Sequence, residues 1–436
     1  MGQTVMRDVN IGMVGLGTVG GSTLRILDES AEEIERRLGF RLRVRAASSL
    51  EVEARSEQNG RLLTRVWQEV VEHPEVEIVV ELIGGTTVAY EVLSGALRRG
   101  RPVVTANKEL LGQRGAELAQ LAAENKASLS MEASVGGGIP ILQVLREGIS
   151  GDRIEALFGI LNGTTNFILT EMEKTSAPFA SILAEAQKRG YAEANPTADV
   201  EGFDPRSKLA ILCAFCFGVR VPTDAIYRQG ITRLLPIDFA YAHRLGYTIR
   251  LIAAATPGPE GLGLYVRPVL IPEAAILSKV LGSYNAIWVK GRYGEDTLYY
   301  GRGAGKPTGV AVVSDLMRAA RDLRHGSTLR APAFGFWKLH EVTRAGIESL
   351  PRPYFLRFLV TDRVGIIAQL AAVLAEKNIS IDAVLQEPCA EKQNLPFVIT
   401  VEPTTEDAIS AALEKMKGLD FLREPPLALP MESALA

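Results

Sequence analysis

The chain of 436 residues carries a formal net charge of -3, and 47% of its residues are hydrophobic. This length suggests roughly two to four domains, and the composition is typical of a globular protein. The near-neutral charge gives no nucleic-acid or membrane footprint, and no apolar run approaches the ~20 residues that a membrane span needs.

The N-terminus and the cysteines indicate the compartment. No apolar signal-peptide segment precedes the first strand-like run. Cys213, Cys216 and Cys389 do not form the framework of a disulfide-rich protein, so a reducing cytoplasm is expected. Cys213 and Cys216 are separated by two residues inside an apolar segment, with no second pair nearby, which favours core packing over metal or redox use.

The first third of the chain alternates apolar strands with helical segments, which is typical of a Rossmann-type, doubly wound and mostly parallel α/β sheet. A long helix is predicted to reach Leu38, and two others cover 88–99 and 110–125. The strands are predicted over 9–15, 41–49, 76–85, 102–107 and 127–138.

A glycine-rich motif, Gly15-Leu16-Gly17-Thr18-Val19-Gly20, separates the first strand from the long helix. In this context the first glycine permits a tight turn, the second admits a pyrophosphate to the backbone, and the third lets helix and strand pack closely. The helix N-terminus that follows offers unpaired N–H groups to an anion. The motif therefore predicts a dinucleotide cofactor, NAD or NADP, in preference to a simple glycine turn.

The end of the second strand bears on the choice between these cofactors. NAD sites usually present an acidic residue there, for the ribose 2′-hydroxyl. The sequence instead runs from Arg45 to Ser49, and the carboxylates Glu51 and Glu53 follow only later. Small hydroxylated residues with Arg45 and Arg55 nearby would suit a 2′-phosphate, which favours NADP. The alternative is that these arginines form a solvated face.

Lys108 directly follows the strand predicted over 102–107. The carboxyl ends of parallel strands line the ligand crevice in such sheets. A lysine there would meet the cofactor or a carbonyl group. The alternative is a surface lysine at the start of a helix.

A second glycine-rich run, 301–309, is similar to a phosphate-binding loop. Tyr300 stands where the first glycine of that motif belongs, and Pro307 stands where serine or threonine belongs. ATP binding is therefore rejected. Glycines such as Gly303, ahead of a helix, still suit a close approach of the backbone to a cofactor.

From about residue 153 the pattern changes to that of an α+β domain. A second sheet is predicted to begin there, followed by long helices over about 178–255, further strands within 264–305, and a helix over 308–323. The tail has the order βαββαβ, which suits a ferredoxin-like domain. The resulting domains are a Rossmann domain over 1–135, completed by about 305–325, a catalytic and dimerisation domain over 136–325, a linker over 326–353, and the tail domain over 354–430.

Four carboxylates and a lysine occur together in GYAEANPTADVEGFDPRSKL, ahead of an apolar helix. Asp204 and Pro205 are interpreted as the N-cap and first residue of this helix. Lys208 opposes the helix dipole beside an apolar face, so we expect a lowered pKa and a role as proton donor. Glu193 and Asp199 would hold a substrate ammonium group. The alternative is a well-capped loop.

Several motifs in this order resemble those of the homoserine dehydrogenase family. GYAEANPTADVEGFDPRSKL is similar to the family's substrate-site signature, and GLGTVG, VVELIGG, VVTANKELL, MEASVGGGIPI and ILNGTTNFIL agree as well. The match covers residues 9–325. The tail, FLRFLVTDRVGIIAQLAAVLAEKNISIDAVLQ, resembles an ACT domain, which is the family's third domain. The resemblance implies NAD(P)-dependent interconversion of L-homoserine and L-aspartate 4-semialdehyde in threonine, methionine and isoleucine biosynthesis.

The resemblance also implies roles for individual residues. Lys208 would be the proton donor to the developing alkoxide, with Asp204 and Lys108 in the catalytic set. The substrate would be bound by Glu193, Asp199 and Thr164, the last from the NGTTN run.

The cofactor and a cation have their own implied residues. Thr105, Lys108 and Gly303 would join the glycine motif around the cofactor. A monovalent cation, sodium in related enzymes, suits oxygen-only ligation. Its ligands would be the carbonyls of Glu132, Val135, Gly137 and Ile139.

The chain departs from the family pattern at three places. Gln229 stands where the family often has glutamate, which would affect the dimer region or a secondary contact. The run before Pro307 is one residue shorter, and Asp362–Gly365 lacks the proline that usually precedes this glycine in ACT domains. The ACT domain would bind L-threonine as an effector or serve only for assembly. The apolar helices of 208–255 predict a homodimer, and ACT pairing would give a homotetramer.

One alternative function remains. The chain could be a catalytically inactive sensor that binds NAD(P) and an amino acid on the same scaffold. A sensor would be free to lose Glu193, Asp204 and Lys208, and their presence favours the enzyme.

Overall fold

The computed structural model describes the chain over 7–52, 55–58, 60–258, 261–326, 331–342, 346–348, 350–387, 391–432 and 435. Glu53 and Cys389 lie outside the described residues, as does part of the predicted linker over 326–353. The chain divides into two compact units. The first unit comprises Met1–Ile154, Ser207–Thr223 and Lys290–Thr343, and the second comprises Glu155–Arg206, Asp224–Val289 and Arg344–Ala436.

Helices and strands alternate in the order that the sequence predicts for most of the chain. The strands are β1 (Val9–Val14), β2 (Leu42–Ser48), β3 (Ser56–Gln58), β4 (Arg61–Thr64), β5 (Ile78–Glu81), β6 (Val103–Thr105), β7 (Leu129–Ser130), β8 (Ile154–Ile160), β9 (Val219–Arg220), β10 (Tyr227–Arg228), β11 (Tyr247–Gly258), β12 (Gly261–Pro272), β13 (Tyr284–Gly291), β14 (Asp296–Arg302), β15 (His340–Glu341), β16 (Arg352–Val360), β17 (Ile381–Gln386), β18 (Leu395–Thr404) and β19 (Leu427–Pro430). The α-helices are α1 (Thr18–Glu29), α2 (Ala31–Leu38), α3 (Trp67–Val71), α4 (Thr87–Arg98), α5 (Lys108–Glu124), α6 (Ile141–Gln143), α7 (Gly163–Thr175), α8 (Phe179–Lys188), α9 (Thr197–Val200), α10 (Phe203–Phe217), α11 (Pro236–Arg244), α12 (Lys306–His325), α13 (Ile366–Glu376) and α14 (Glu406–Met416).

The first unit contains a doubly wound sheet with the strand order β3-β4-β2-β1-β5-β6-β7. Its neighbours pair in parallel, except for β3 and β4 at one edge. The central strands β1 and β5 are buried throughout, because a parallel sheet covered on both faces selects continuous apolar runs. The predicted Rossmann-type fold is therefore confirmed. The carboxyl ends of β1, β2, β5 and β6 lie along one edge, where ligands bind in such sheets.

Two details of this unit differ from the prediction. The long helix to Leu38 is two helices, because the chain leaves helical geometry at Ser30, whose N–H closes the last turn of α1 on the carbonyl of Ile26. The last predicted strand ends at Ser130, because the N–H of Glu132 donates to the Asp315 carboxylate 2.8 Å away and the chain there forms a 3-10 turn.

The second unit contains a sheet in which β10, β12, β11, β8 and β13 lie side by side in that order. The helices predicted over 178–255 end at Arg244, so that prediction is wrong for its last part. The run from Ile249 to Ala255 is rich in alanine, but it is a buried strand that pairs with β12 on one side and β8 on the other. Tertiary pairing overrides local helix propensity here.

The tail of the second unit has the predicted βαββαβ order. Its antiparallel sheet has the order β17-β18-β16-β19, and a cluster centred on Phe358 and Phe397 forms its core. Gly365 has φ +90° immediately before α13. A left-handed residue at this turn explains why glycine stands there. The ferredoxin-like prediction is confirmed.

Helix α10 is an apolar helix, and most of its residues from Leu209 to Cys216 are buried within the single chain. Cys213 and Cys216 are buried thiols in it, and burial raises the pKa of Cys213 to about 12. A thiol with so high a pKa is a poor nucleophile and metal ligand at neutral pH, as the core interpretation requires. In the part of the chain that the structure describes, no helix is long and apolar enough to span a bilayer.

Candidate active site

The glycine motif forms a turn without room for side chains at two of its three glycines. Gly15 has φ +105°, and a Cβ there would lie 2.6 Å from the carbonyl of Leu82. A Cβ on Gly20 would lie 2.1 Å from the carbonyl oxygen of Gly15. These two glycines therefore let α1 start directly against β1 and β5.

Gly17 has the opposite environment, because a Cβ there would meet no atom within 4 Å. It precedes α1, whose first turn has no acidic residue and whose N-cap has no side-chain hydrogen bond. Gly17 and Thr18 are exposed, so the start of α1 is accessible beside a bare backbone. This cradle fits the pyrophosphate of a dinucleotide.

A buried carboxylate organises the neighbouring strand ends. Glu81, fully buried at the end of β5, accepts hydrogen bonds from the N–H groups of Ile83 and Gly84 and from the Thr105 hydroxyl at 2.6 Å. The Thr105 hydroxyl in turn accepts the N–H of Asn107, whose side chain caps α5 through the N–H of Leu110. This network fixes the turn at which Lys108 begins α5.

The end of β2 presents small residues, as the sequence indicates. Ser48 is buried there, and the Ser49 hydroxyl accepts the N–H of Glu51. Both candidate arginines have carboxylate partners: the Nε of Arg45 lies 3.4 Å from Glu75, and the Nε of Arg55 donates to Glu69 at 3.2 Å. Their recruitment to a 2′-phosphate would require exchange of these partners.

The segment predicted to bind a cation is a buried loop from Glu132 to Ile139. Gly136 and Gly137 have φ +73° and +51°, and a Cβ on Gly137 would lie 2.6 Å from the backbone of Gly303. Among the described residues, the carbonyls of Val135 and Gly137 accept no hydrogen bond, although both residues are buried. Buried carbonyls without donors are suited to a hard monovalent cation.

The other two predicted ligands are already engaged. The carbonyl of Glu132 accepts the N–H of Val135 at 3.4 Å, and that of Ile139 accepts the N–H of Ile141 at 2.8 Å. A carbonyl oxygen has two lone pairs, so neither bond excludes a cation. The side chain of Glu132 accepts the N–H groups of Leu142 and Gln143, and burial raises its pKa to about 7.

We call Gly15–Gly20 with the strand-end turns at Glu81 and Lys108 the cofactor half. We call the predicted substrate-binding residues of the second unit, together with Asn162, the substrate half: Asn162, Thr164, Glu193, Asp199 and Asp204. Each half is built within one unit.

Asn162 gathers the two aspartates of the substrate half. Its Nδ2 donates to Asp199 Oδ1 at 2.6 Å and to Asp204 Oδ2 at 2.9 Å. Its Oδ1 accepts the N–H of Thr165 and so caps α7. One amide thus places two carboxylates, 37 and 42 residues away in sequence, at a single point. Asn162 was not singled out from the sequence, although an asparagine directly before GTTN is a recognisable helix N-cap.

The remaining members of the substrate half lie on the adjoining loop. The Thr164 hydroxyl donates to the carbonyl of Tyr191 at 2.6 Å and so fixes the loop that leads to Glu193. Glu193 is exposed, and its carbonyl accepts the Nε2 of Gln187. Thr164 therefore has a structural contact in addition to its predicted role.

The prediction that Asp204 is the N-cap of helix α10 is wrong. The helix begins at Phe203, so Asp204 lies inside its first turn and is not its N-cap. The Asp204 carboxylate accepts a hydrogen bond from the side-chain amide of Asn162 at 2.9 Å. Lys208 lies one turn beyond Asp204 on the same helix, and its side chain is buried. The expected lowered pKa of Lys208 stays a prediction.

Taken together, a Rossmann sheet with a bare glycine cradle, a cluster of carboxylates, a buried lysine and a ferredoxin-like tail indicate an NAD(P)-dependent oxidoreductase with an additional C-terminal domain. Comparisons with known proteins narrow this class. The family model for homoserine dehydrogenase matches residues 140–317, the model for the homoserine dehydrogenase NAD binding domain matches residues 15–132, and the ACT domain model matches residues 354–421.

Relatives match over nearly the full length. A homoserine dehydrogenase from Neisseria gonorrhoeae is 40% identical over 432 residues, which cover 98% of this chain and 99% of the relative. The crystal structure of a homoserine dehydrogenase from Thiobacillus denitrificans has a TM-score of 0.89 and 39% identity, with 98% of this chain and 99% of that chain covered. A hyperthermophilic archaeal homoserine dehydrogenase mutant in complex with NADPH has a TM-score of 0.62 and 27% identity, with 72% of this chain and 98% of that chain covered.

The chain therefore belongs to the homoserine dehydrogenase family, and it interconverts L-homoserine and L-aspartate 4-semialdehyde with NAD(P). Both the fold class and the enzyme class expected from the sequence are confirmed.

Proposed function

We propose that Lys208 is the proton donor and acceptor for the substrate oxygen, with Asp204, Asp199 and Glu193 arranged around the amino-acid substrate. The observation that carries this is the convergence of Asp199 and Asp204 on the Asn162 amide. Two carboxylates gathered at one point form an acidic cluster of the kind that binds a substrate ammonium. Lys208, one helical turn beyond Asp204 and buried, has the position of a group that transfers a proton away from bulk water.

The cofactor half supplies binding and orientation. NAD(P), when bound, accepts or donates the hydride at its nicotinamide. Gly15, Gly17 and Gly20 with the start of α1 would hold its pyrophosphate, and Thr105 and Gly303 would line its path. Lys108, at the first position of α5, would lie where cofactor and substrate meet.

We favour NADP over NAD as the preferred cofactor. The supporting observations are that the end of β2 has no carboxylate to bond a ribose 2′-hydroxyl, and that the archaeal relative was solved with NADPH. The test is the absorbance of reduced nicotinamide during oxidation of L-homoserine, with NAD and NADP offered separately. A lower KM for NADP is expected, and a lower KM for NAD would overturn the preference.

The same assay tests the reaction itself and the role of Lys208. Turnover with at least one cofactor is expected from the wild-type chain. Folded protein that binds the cofactor without turnover would favour the inactive sensor instead, and would remove the proposed role of Lys208.

We propose a sodium ion on the carbonyls of Glu132, Val135, Gly137 and Ile139. The support is the pair of buried carbonyls without donors on Val135 and Gly137. Replacing sodium by choline at constant ionic strength should lower the thermal midpoint, since a ligand that binds only the folded state stabilises it. A midpoint that does not change would reject the ion.

We propose L-threonine as an effector of the ACT domain, in a homodimer or homotetramer that works in the cytoplasm. The domains would be 1–135 with about 305–325, 136–325, the linker 326–353 and 354–430. Light scattering with and without L-threonine measures the assembly. Inhibition of turnover by L-threonine would support a feedback role, and unchanged turnover would leave the ACT domain with assembly only.

A further inference from the structure

The turn that joins α9 to α10 immediately precedes Asp204 and consists of Glu201, Gly202 and Phe203, the first residue of α10. Gly202 has φ +79°, and a Cβ there would lie 3.3 Å from Val266 and 3.5 Å from the side chain of Arg228. The turn is therefore pressed closely against β10 and β12. Any shift of this turn displaces the first residues of α10, and with them the carboxylate of Asp204.

Arg228 binds both ends of this turn. Its Nη1 donates to the backbone carbonyl of Glu201 and lies 3.5 Å from the Glu201 carboxylate. The centre of its guanidinium lies 3.8 Å from the centroid of the Phe203 ring. A planar guanidinium is suited to bonding at its edge while stacking on its face. The Glu201 carboxylate is also fixed by the Thr232 hydroxyl at 3.0 Å.

Arg228 is itself supported from the ACT domain. Its strand β10 pairs with β12, with Tyr227 opposite Tyr265. Arg267 of β12 is 1% exposed and lies 4.7 Å from the Tyr227 ring. Its Nη1 donates to Glu406 at 2.5 Å, in the first turn of α14.

The same carboxylate oxygen of Glu406 accepts the Tyr354 hydroxyl at 2.6 Å. A buried carboxylate with two donors is held in one geometry, and it holds its partners in return. The contacts form a continuous series within the second unit, from α14 through Arg267 and Tyr227 to the strand of Arg228.

We propose that Arg228 is a positioning residue for the substrate half, and that Glu406 of the ACT domain supports it through Arg267 and Tyr227. The inference rests on the proposed role of Asp204 in binding the substrate. The ACT domain then contributes to homoserine binding even when no effector is present.

The first experiment compares Arg228→Met with Arg228→Lys. R228M should raise the KM for L-homoserine by about tenfold or more, the usual effect of losing a hydrogen bond to a charged group. R228K should recover part of this loss, because an ammonium still reaches the Glu201 carbonyl but does not stack as a plane. The dissociation constant of NADPH, from its fluorescence without turnover, should not change in either variant. An unchanged KM in R228M, or an equal loss of NADPH binding, would overturn the proposal.

Asp204→Asn separates this inference from the proposed function. If D204N leaves the KM for L-homoserine unchanged, the substrate role of Asp204 fails, and the inference fails with it. If D204N raises the KM and R228M does not, the role of Arg228 alone fails.

The second experiment uses Glu406→Gln and a matched control, Asp238→Asn. Asp238 is also a buried carboxylate paired with an ACT arginine, since it lies 2.9 Å from Arg357, but it lies on α11 and, in the described part of the chain, makes no hydrogen bond or ion pair with Arg267 or Tyr227. Both variants should lower the thermal midpoint. Only E406Q should raise the KM for L-homoserine, by about threefold to tenfold, as for one weakened charged hydrogen bond.

Equal KM values for L-homoserine in E406Q and D238N would contradict the proposal that Glu406 on α14 supports Arg228. Tyr354→Phe provides a milder variant if E406Q does not fold, because it removes only the hydroxyl that bonds Glu406. Y354F should raise the same KM in the same direction, and no rise in Y354F would count against the proposal.

Discussion

The cofactor half and the substrate half differ in the groups that form them, which are backbone groups in the first and side chains in the second. The cofactor half depends on backbone, since Gly15 and Gly20 act through the absence of a Cβ and the start of α1 acts through its N–H groups. The substrate half depends on side chains, since the Asn162 amide holds the carboxylates of Asp199 and Asp204. A long polyanionic cofactor is bound by repeated backbone dipoles, whereas a small amino acid needs a few charges at fixed points.

The largest effect is expected from replacing Lys208, which should slow the reaction without weakening cofactor binding. Lys208→Ala should lower kcat by about 10²- to 10⁴-fold, the usual contribution of general acid–base catalysis. The NADPH dissociation constant should stay at its wild-type value, because the glycine turn is untouched. The exposed Lys188→Ala is the control and should change neither quantity. If K208A weakens NADPH binding as much as it slows turnover, Lys208 has a structural role and the proposed proton transfer is wrong.

The next largest effect is expected from a substitution at Gly20, which should disturb the cofactor half alone. Gly20→Ala places a methyl group 2.1 Å from the carbonyl oxygen of Gly15, so the start of α1 must shift away from β1. Such overpacking typically costs about 1–3 kcal/mol, and it should weaken NADPH binding and lower the thermal midpoint. Gly21→Ala is the matched control, because its methyl group would lie 3.6 Å from the Leu16 carbonyl, an ordinary contact. NADPH binding that is equal in the two variants would show that close packing at Gly20 is dispensable.

The difference between the cofactor half and the substrate half also explains which features could be predicted from the sequence. The glycine motif is a local pattern, because residues 15–20 follow one strand and open one helix, and the structure has that turn where it was expected. The tail order and the left-handed turn at Gly365 are local in the same sense. These features depend on residues that are neighbours in sequence, so they can be predicted from one sequence alone.

The substrate half could be predicted only in part. Asp199 and Asp204 were expected from the local charge pattern and the family motif, but Asn162, which binds both carboxylates, lies 37 and 42 residues away in sequence. The N-cap interpretation of Asp204 was wrong because the helix begins one residue earlier, at Phe203. The prediction of helix beyond Arg244 failed because pairing with β8 and β12 decides the conformation of the alanine-rich run.

The smallest expected effect tests whether the substrate half depends on the Asn162 amide. Asn162→Asp keeps an oxygen that accepts the N–H of Thr165, so the cap of α7 and most of the stability should be retained. It removes the donor to Asp199 and Asp204 and adds a third negative charge beside them. Like charges favour protonated carboxyls, so the KM for L-homoserine should rise more steeply below neutral pH than in the wild type.

Asn162→Ala distinguishes the two functions of this residue. It removes the cap as well, so the free energy of unfolding should fall by about 1 kcal/mol relative to N162D. NADPH binding should be unchanged in both variants, because the glycine turn lies in the other unit. If N162D leaves the KM for L-homoserine at the wild-type value across this pH range, then Asp199 and Asp204 do not require a shared donor. The substrate half would then be organised by the backbone of its loops, as the cofactor half is.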